Sequence, residues 1–219
     1  MWIKKQLLEE IVSPINGRIQ VVHQLGSVRI EVGGLLQSGG VLTQIWKKGL
    51  KNVQIPLPTV DLPKADKAQN VLILGLGGGT VVKLILQKWP QVKITGIEID
   101  PLMVKLAKKY FDLGQISNLK IITSDAIKFV KDYALQPTLY NLIIVDLYLG
   151  DQIPTDVKSR KFLTAIKRAI DKNGLVIFNH LFYGSKKKEA EEFIRRLEKV
   201  FPRITLQRVF SNLMIHCRP

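Results

Sequence analysis

Residues Val71 to Thr80 read VLILGLGGGT, an apolar run entering four glycines within five positions, and the residues that follow carry helical apolar spacing at Val81, Leu84 and Ile85. A chain that turns this tightly from strand to helix needs backbone conformations, or close approaches, that a Cβ would forbid. The first turn of the helix then offers N–H groups with no intrahelical partner. Two readings follow from the residues: a ligand-binding turn, or a plain structural turn rich in glycine. Either way the middle of the chain is a strand–turn–helix unit.

Strand and helix signals alternate from there onward. Val92–Ile97 reads as a second strand, Leu102–Tyr110 as a helix with Asp100 as N-cap and Pro101 in its first turn, and Leu119–Ile122 as a third strand. A helix over Ala126–Tyr133 follows, capped by Asp125, then an apolar fourth strand over Tyr140–Val145. Asp156–Ile170 reads as a helix, Gly174–Asn179 as a fifth strand, Lys186–Val200 as a long amphipathic helix, and Ile204–Val209 with Asn212–Cys217 as two closing strands. Such alternation implies right-handed βαβ units and a mostly parallel sheet covered on both faces, an α/β fold. The last two strands, with no helix between them, predict an antiparallel hairpin and a seven-stranded sheet.

Upstream, Arg18–Gln24 and Val28–Val32 are β-branched runs around Gly26 and Ser27 and read as a hairpin. Leu35–Gln37 follows a Gly33-Gly34 turn, and Val41–Leu50 reads as a short helix. The stretch Leu57–Gln69, with Pro58 and Pro63, reads as a connector. The expected division is a small β-rich unit over residues 1–57 and a Rossmann-like domain over residues 58–219. A chain of 219 residues has room for one α/β domain with a small appendage.

Thirty-three Lys and Arg against eighteen Asp and Glu leave a formal charge of +15, which attracts polyanions. The excess is spread in pairs such as Lys4-Lys5, Lys47-Lys48 and Lys108-Lys109, and no RNA-binding module or stacking-aromatic motif accompanies it. A solvated basic surface is the simpler reading, and nucleic acid the alternative partner. No run approaches the roughly 18 apolar residues of a membrane helix, the amino terminus does not resemble a signal peptide, and the single Cys217 excludes an internal disulfide. These features point to a cytoplasmic protein without a membrane partner.

The glycine spacing sharpens the ligand reading. Dinucleotide sites use G-x-G-x-x-G, but the sixth position counted from Gly75 is Thr80. The pattern here is G-x-G-x-G at Gly75, Gly77 and Gly79, flanking Leu76 and Gly78, which is typical of S-adenosylmethionine sites. The second strand ends in Glu98-Ile99, about twenty positions on, where a carboxylate can accept from both hydroxyls of a ribose. The third ends at Asp125-Ala126 and the fourth at Asp146. Three acids at the carboxyl ends of three successive strands, beside a glycine turn, converge on the crevice where open α/β sheets bind ligands.

VLILGLGGGT, GIEIDPLMVKLAKKYF, the Ser-Asp-Ala turn and IIVDLYLGDQIP together resemble the spermidine synthase branch of the class I methyltransferase fold, and SPINGRIQVV with GGLLQSG around Gln37 resembles that family's small β domain. The resemblance covers nearly the whole chain. It implies S-adenosylmethionine or its decarboxylated form as cofactor, contacted by Gln37, Gly75, Leu76, Gly77, Gly78, Gly79, Glu98, Ile99, Asp125, Ala126 and Asp146. It implies that Asp125 accepts from the adenine amino group, a role compatible with capping, and that Asp146 is the base. It also implies association into a homodimer through the amino-terminal region. Three departures stand out. The family's acid in the glycine loop is Gly78 here, its second acid after the fourth strand is Leu149, and its Tyr-His-Glu run is Trp46-Lys47-Lys48. Lysines in place of carboxylates would turn a diamine site against its ligand.

The expected function is therefore a transferase, with methyl transfer to an unidentified acceptor favoured and Asp146 or Tyr148 as candidate base. Aminopropyl transfer to an unusual amine and a non-catalytic nucleic-acid-binding role are the alternatives. Asp151 offers a register-shifted acid, His180 a candidate acid or base, and Tyr183 a candidate acceptor-pocket wall. Structural roles are expected for His23, His216, Trp2, Trp46, Trp89 and Cys217.

Overall fold

The computed structural model describes residues 5–56, 69–133 and 139–219. Trp2, Lys4 and residues 57–68 of the expected connector lie outside them.

The amino-terminal part is a four-stranded antiparallel meander of β1 (Gln6–Ser13), β2 (Gly17–Gln24), β3 (Ser27–Val32) and β4 (Leu35–Ser38), followed by helix α1 (Gly40–Gly49). The expected hairpin is β2–β3, paired from Ile19↔Val32 to Gln24↔Ser27. Strand β1 is an addition to the sequence reading. Its ladder with β2 slips between Leu7 and Glu9, so the period-two signal of a strand is broken at Leu8.

The second sheet holds β5 (Asn70–Leu74), β6 (Lys93–Glu98), β7 (Leu119–Thr123), β8 (Tyr140–Val145), β9 (Ile170–Leu181), β10 (Arg203–Val209) and β11 (Asn212–Arg218), in the order β10-β11-β9-β8-β5-β6-β7. Strands β7, β6, β5, β8 and β9 are parallel, and β11 runs antiparallel to both β9 and β10. This is the expected seven-stranded α/β architecture. Helices α2 (Thr80–Lys88), α3 (Pro101–Phe111), α4 (Ala126–Tyr133), α5 (Arg160–Ala169) and α6 (Lys186–Glu198) supply the connections.

Alternation along the buried strands splits the core in two. Val71, Ile73, Leu142, Ile144 and Ile177 face α1, α2 and α3, and this layer also takes in Ile19, Val21, Ile30 and Val32 of the small sheet. Leu72, Leu74, Ile143, Val145, Val176 and Phe178 face α4, α5 and α6. Each such Ile or Leu removed from water contributes about 1.5–3 kcal/mol. The small sheet thus shares a core with the large one, consistent with its being too short to build its own.

Two boundaries differ from the sequence reading. The helix expected over Asp156–Ile170 is a single 3-10 turn at Thr155–Lys158 followed by α5, because Ser159 is extended and its hydroxyl accepts from the Phe162 amide, restarting the helix. Strand β9 then begins directly at Ile170, before the expected Gly174, and its pairing with β8 is irregular between Tyr140 and Leu142. Among the described residues no helix is long and apolar enough to cross a membrane.

Candidate active site

The carboxyl ends of β5, β6, β7 and β8 open into a cavity of about 570 Å³, covered from the other side by β4 and α1. That volume is typical of a small-molecule site. The glycine turn forms its floor. The Gly75 and Leu76 amides both donate to the Ile97 carbonyl, at 3.0 and 3.1 Å. Gly75 has φ +87°, and a Cβ on it would stand 2.1 Å from the Asp146 carbonyl oxygen. Gly77, φ +52°, has only the Gln37 carbonyl within reach of such a Cβ, at 3.3 Å, and lines the cavity with Leu76 and Gln37.

Gly78 and Gly79 do not line it, contrary to the expectation from the motif. A Cβ on Gly78 would meet the Ser38 side chain at 2.6 Å, and one on Gly79 would meet Leu113 at 2.4 Å. These two glycines let the turn pack against β4 and the segment after α3. Ser38 is itself held by Thr80, hydroxyl to hydroxyl at 2.7 Å. The space in which an acid at position 78 would begin is therefore filled by this chain's own β4.

Glu98 is only 8% exposed at the end of β6. Its Oε2 accepts from the Gly77 amide at 2.9 Å and its Oε1 from the Asp100 amide at 3.1 Å. Burial nevertheless raises its pKa above the usual carboxylate range. Two oxygens offer about four acceptor sites, so capacity remains for a ribose. Asp100 takes the cap role, accepting from the Leu102 amide, and also accepts from Ser13 Oγ and Asn16 Nδ2, which ties the β1–β2 turn to β6. Asp125 caps α4 through Oδ1, which accepts from the Ile127 and Lys128 amides, both at 2.8 Å. It lines the cavity beside the apolar side chains of Ile99, Met103, Ala126 and Ile127.

Asp146 occupies the centre. Its amide continues the sheet to the Leu74 carbonyl at 2.9 Å. Its Oδ1 accepts from Asn179 Nδ2 at 2.9 Å and its Oδ2 from Trp46 Nε1 at 3.1 Å. Burial pushes its carboxyl to about 6 against the pull of those two donors. Trp46 and Asn179 were not legible as site residues, since α1 and β9 reach Asp146 only through the tertiary fold. Tyr148 lines the cavity, but its hydroxyl donates to the Asn179 carbonyl at 2.9 Å, and burial raises its pKa well above the ordinary phenol value. A phenol so held is a donor; the expectation of Tyr148 as base does not fit it.

Among the described residues the charges lining the cavity are Glu98, Asp125, Asp146, Asp151 and Asp156, with no Lys, Arg or His beside them. In a chain of net charge +15 this is a local reversal of sign. Lys47 and Lys48 do not face the cavity: both are exposed, and Lys48 Nζ lies 4.2 Å above the Phe210 ring. Helical geometry explains the correction, because Trp46 points inward and its two successors turn away. Asp151 lines the cavity but is paired with Lys186 Nζ at 3.3 Å. Leu149 is 52% exposed on the rim and Tyr183 is a wall residue, as expected.

His180 is on the opposite face of β9 from Asn179. Its Nδ1 lies 2.7 Å from the Leu181 carbonyl, and its ring sits 5.8 Å from Phe193 under α6, so it does not reach the cavity as acid or base. Burial lowers the pKa of both His180 and His216, whereas His23 is exposed on β2. Cys217 is buried, which pushes its thiol to about 12, and Trp89 packs beneath Lys88 Nζ at 4.5 Å. Among the described residues no group of three or more His, Cys, Asp or Glu is placed to hold a metal.

The spermine/spermidine synthase domain model matches residues 55–212. An eEF1A lysine and N-terminal methyltransferase homolog of Drosophila melanogaster is 31% identical over 167 residues, covering 73% of this chain and 24% of that protein. A polyamine aminopropyltransferase of Vibrio vulnificus is 31% identical over 113 residues, covering 52% of this chain and 38% of that one. The chain thus spans about a quarter of the length of the fly relative. Among solved structures, human methyltransferase-like protein 13 in complex with SAH superposes with a TM-score of 0.66 at 21% identity, covering 82% of each chain. A spermidine synthase in complex with the transition state analogue AdoDATO superposes at 0.74 and 18% identity, covering 99% of this chain and 74% of that one. Both likenesses are of fold. With the family model spanning most of its length, this chain belongs to the spermine/spermidine synthase domain family.

Proposed function

We propose that this protein is a transferase that binds S-adenosylmethionine and delivers its methyl group to an amine. The observation that carries the reading is Asp146, half-buried at the convergence of β5 and β8 in a cavity whose charged walls, among the described residues, are all acidic. The residues fit the cofactor. Glu98 takes the ribose, Asp125 and the Ala126 amide take the adenine edge between Ile99 and Ile127, and the opening beside Gly77 leaves room for the donor backbone. When bound, the sulfonium supplies an electrophilic carbon. Asp146 does the remaining work: it attracts an ammonium, accepts its proton, and leaves a neutral amine aimed at that carbon. A carboxyl near 6 is a stronger proton acceptor than an ordinary aspartate.

Methyl rather than aminopropyl transfer is favoured by what surrounds Asp146. The loop position where the family carries an acid is Gly78, packed on Ser38, and Leu149 replaces the second acid. Asp151 is spoken for by Lys186. Relatives named as methyltransferases of protein lysine, N-terminal amine and N-terminal histidine support the same choice. Polyamine aminopropyl transfer is the second reading, favoured by the absence of any cationic side chain among the described lining residues. A polyanionic acceptor in the cavity is disfavoured by the same acids.

Incubation of the protein with S-adenosylmethionine, and separately with the decarboxylated donor, against polyamines and lysine-containing peptides separates these readings by product mass. A gain of one methyl with the intact donor is expected. An aminopropyl adduct from the decarboxylated donor establishes the second reading instead, and no product from either donor overturns both.

A further inference from the structure

Asp146 is held by side chains from two elements that are distant from it in sequence. Trp46 of α1 lies 100 residues away and Asn179 of β9 lies 33 away, and each donates to a different oxygen of the same carboxylate. A primary amide can present either its NH₂ or its oxygen, so the Asn179 contact has meaning only if its orientation is fixed. The ionised carboxylate, which can only accept, selects the NH₂, and the row behind it has the matching polarity: Asn212 of β11 donates from Nδ2 to Asn179 Oδ1 at 2.8 Å, and Ser211 Oγ lies 3.2 Å from Asn212 Oδ1. Tyr148 then anchors the Asn179 backbone through its carbonyl. Every donor in the row Ser211, Asn212, Asn179 points toward Asp146. The indole of Trp46 can only donate, so it closes the other side with the same polarity.

We propose that Asn179, oriented by Asn212, and Trp46 are positioning residues that clamp Asp146 from its two oxygens and hold it ready to accept a proton from the acceptor amine. The clamp fixes the carboxylate plane and supplies two donors that favour its ionised form. The described titratable groups sharing the cavity with Asp146 are Tyr148 on its own loop, Glu98 at the end of β6, Asp125 at the end of β7, Asp151 and Asp156 beyond β8, and Tyr183 after β9. All of them are neutral or negative, so none replaces the clamp in stabilising the charge. The polar side chains that α1, β9 and β11 bring to this cavity are Trp46, Asn179 and Asn212, none of them titratable. The proposal rests on the reading of Asp146 as the proton acceptor.

The test is a ¹³C-carboxyl titration of the full chain labelled at aspartate, with the Asp146 signal assigned by its loss in Asp146→Asn. Parent protein, Asn179→Ser and Trp46→Phe are compared, each shown to be folded by its cooperative thermal transition. Trp46→Phe removes the N–H along with the five-membered ring of the indole while keeping a six-membered aromatic ring in the core, and it gives a second, independent variant if Asn179→Ser fails to fold. Losing a hydrogen bond to a charged group moves a pKa by roughly one unit. The expected result is an Asp146 midpoint near 6 in the parent and roughly one unit higher in each variant. In the methyl-transfer assay the acid limb of the rate profile rises by the same amount, a readout that a merely structural defect would not move. Midpoints unchanged to within about 0.3 unit in the folded variants overturn the clamp. Because the titration needs no substrate, it decides the clamp even if no transfer is found. Unchanged midpoints with intact transfer remove the clamp and leave the proposed function standing.

Discussion

Gly75 and Asp146 touch through backbone alone: a Cβ on Gly75 would lie 2.1 Å from the Asp146 carbonyl oxygen, and Gly75 itself holds φ +87°. The first glycine of the motif is thus required by the neighbouring strand, which must pass close enough to set its acid beside the turn. Gly75→Ala meets both a steric wall and an unfavourable backbone conformation. It should lower stability by about 3 kcal/mol or more in urea unfolding, before any ligand is added. An alanine variant of parental stability would show that β5 and β8 need not approach so closely.

Burial of Asp146 leaves a signature in stability. Its folded pKa is about 6 against an ordinary 3.8, so the folded state keeps this proton to higher pH than the unfolded chain. Its contribution is therefore lost as pH rises from about 3.8 to about 6, and above that window the ionised carboxylate costs up to about 3 kcal/mol. Asp146→Asn has no such term. Its amide faces two donors and loses one hydrogen bond, but that loss does not vary with pH. Urea melts across this range should show the variant gaining on the parent as pH rises. A constant difference would mean that Asp146 titrates normally.

Glu98 makes a different prediction. Its carboxylate is oriented by the Gly77 and Asp100 amides and turned toward the cavity. Glu98→Gln replaces one acceptor oxygen by a donor, and should weaken binding of the demethylated cofactor by about 10- to 100-fold. Calorimetry on the variant checks this. Equal affinity in the two proteins would place the ribose elsewhere.

Asp100 joins the two sheets, accepting from Ser13, Asn16 and the Leu102 amide while wholly buried. Asp100→Ala strands these donors and removes a helix cap, for a loss of about 2–4 kcal/mol. Ser13→Ala removes one partner only and should cost less. Thermal melts that rank them the other way would contradict the tether.

These residues also show what a sequence discloses. The glycine turn, Glu98, Asp100 and Asp125 are legible because their constraints come from neighbours along the chain: a tight turn, a strand end, a helix cap. The continuous apolar runs of β5 and β8 disclose the buried sheet for the same reason. Strand β1 is hidden by its bulge at Leu8. Gly78 and Gly79 fit the motif, yet what they touch, Ser38 and Leu113, is set by the fold. Trp46 and Asn179 carry no local signal for a bond to Asp146, and the outward turn of Lys47 and Lys48 becomes visible only once α1 is docked.

The central claim is that the cavity at the ends of β5 to β8 receives an adenosyl donor. Isothermal titration of the parent protein with S-adenosylhomocysteine tests it most directly. Saturable binding at one site per chain, abolished in the parent by prior saturation with S-adenosylmethionine, is the result predicted. No detectable heat at millimolar ligand, from protein whose unfolding is cooperative, would contradict it.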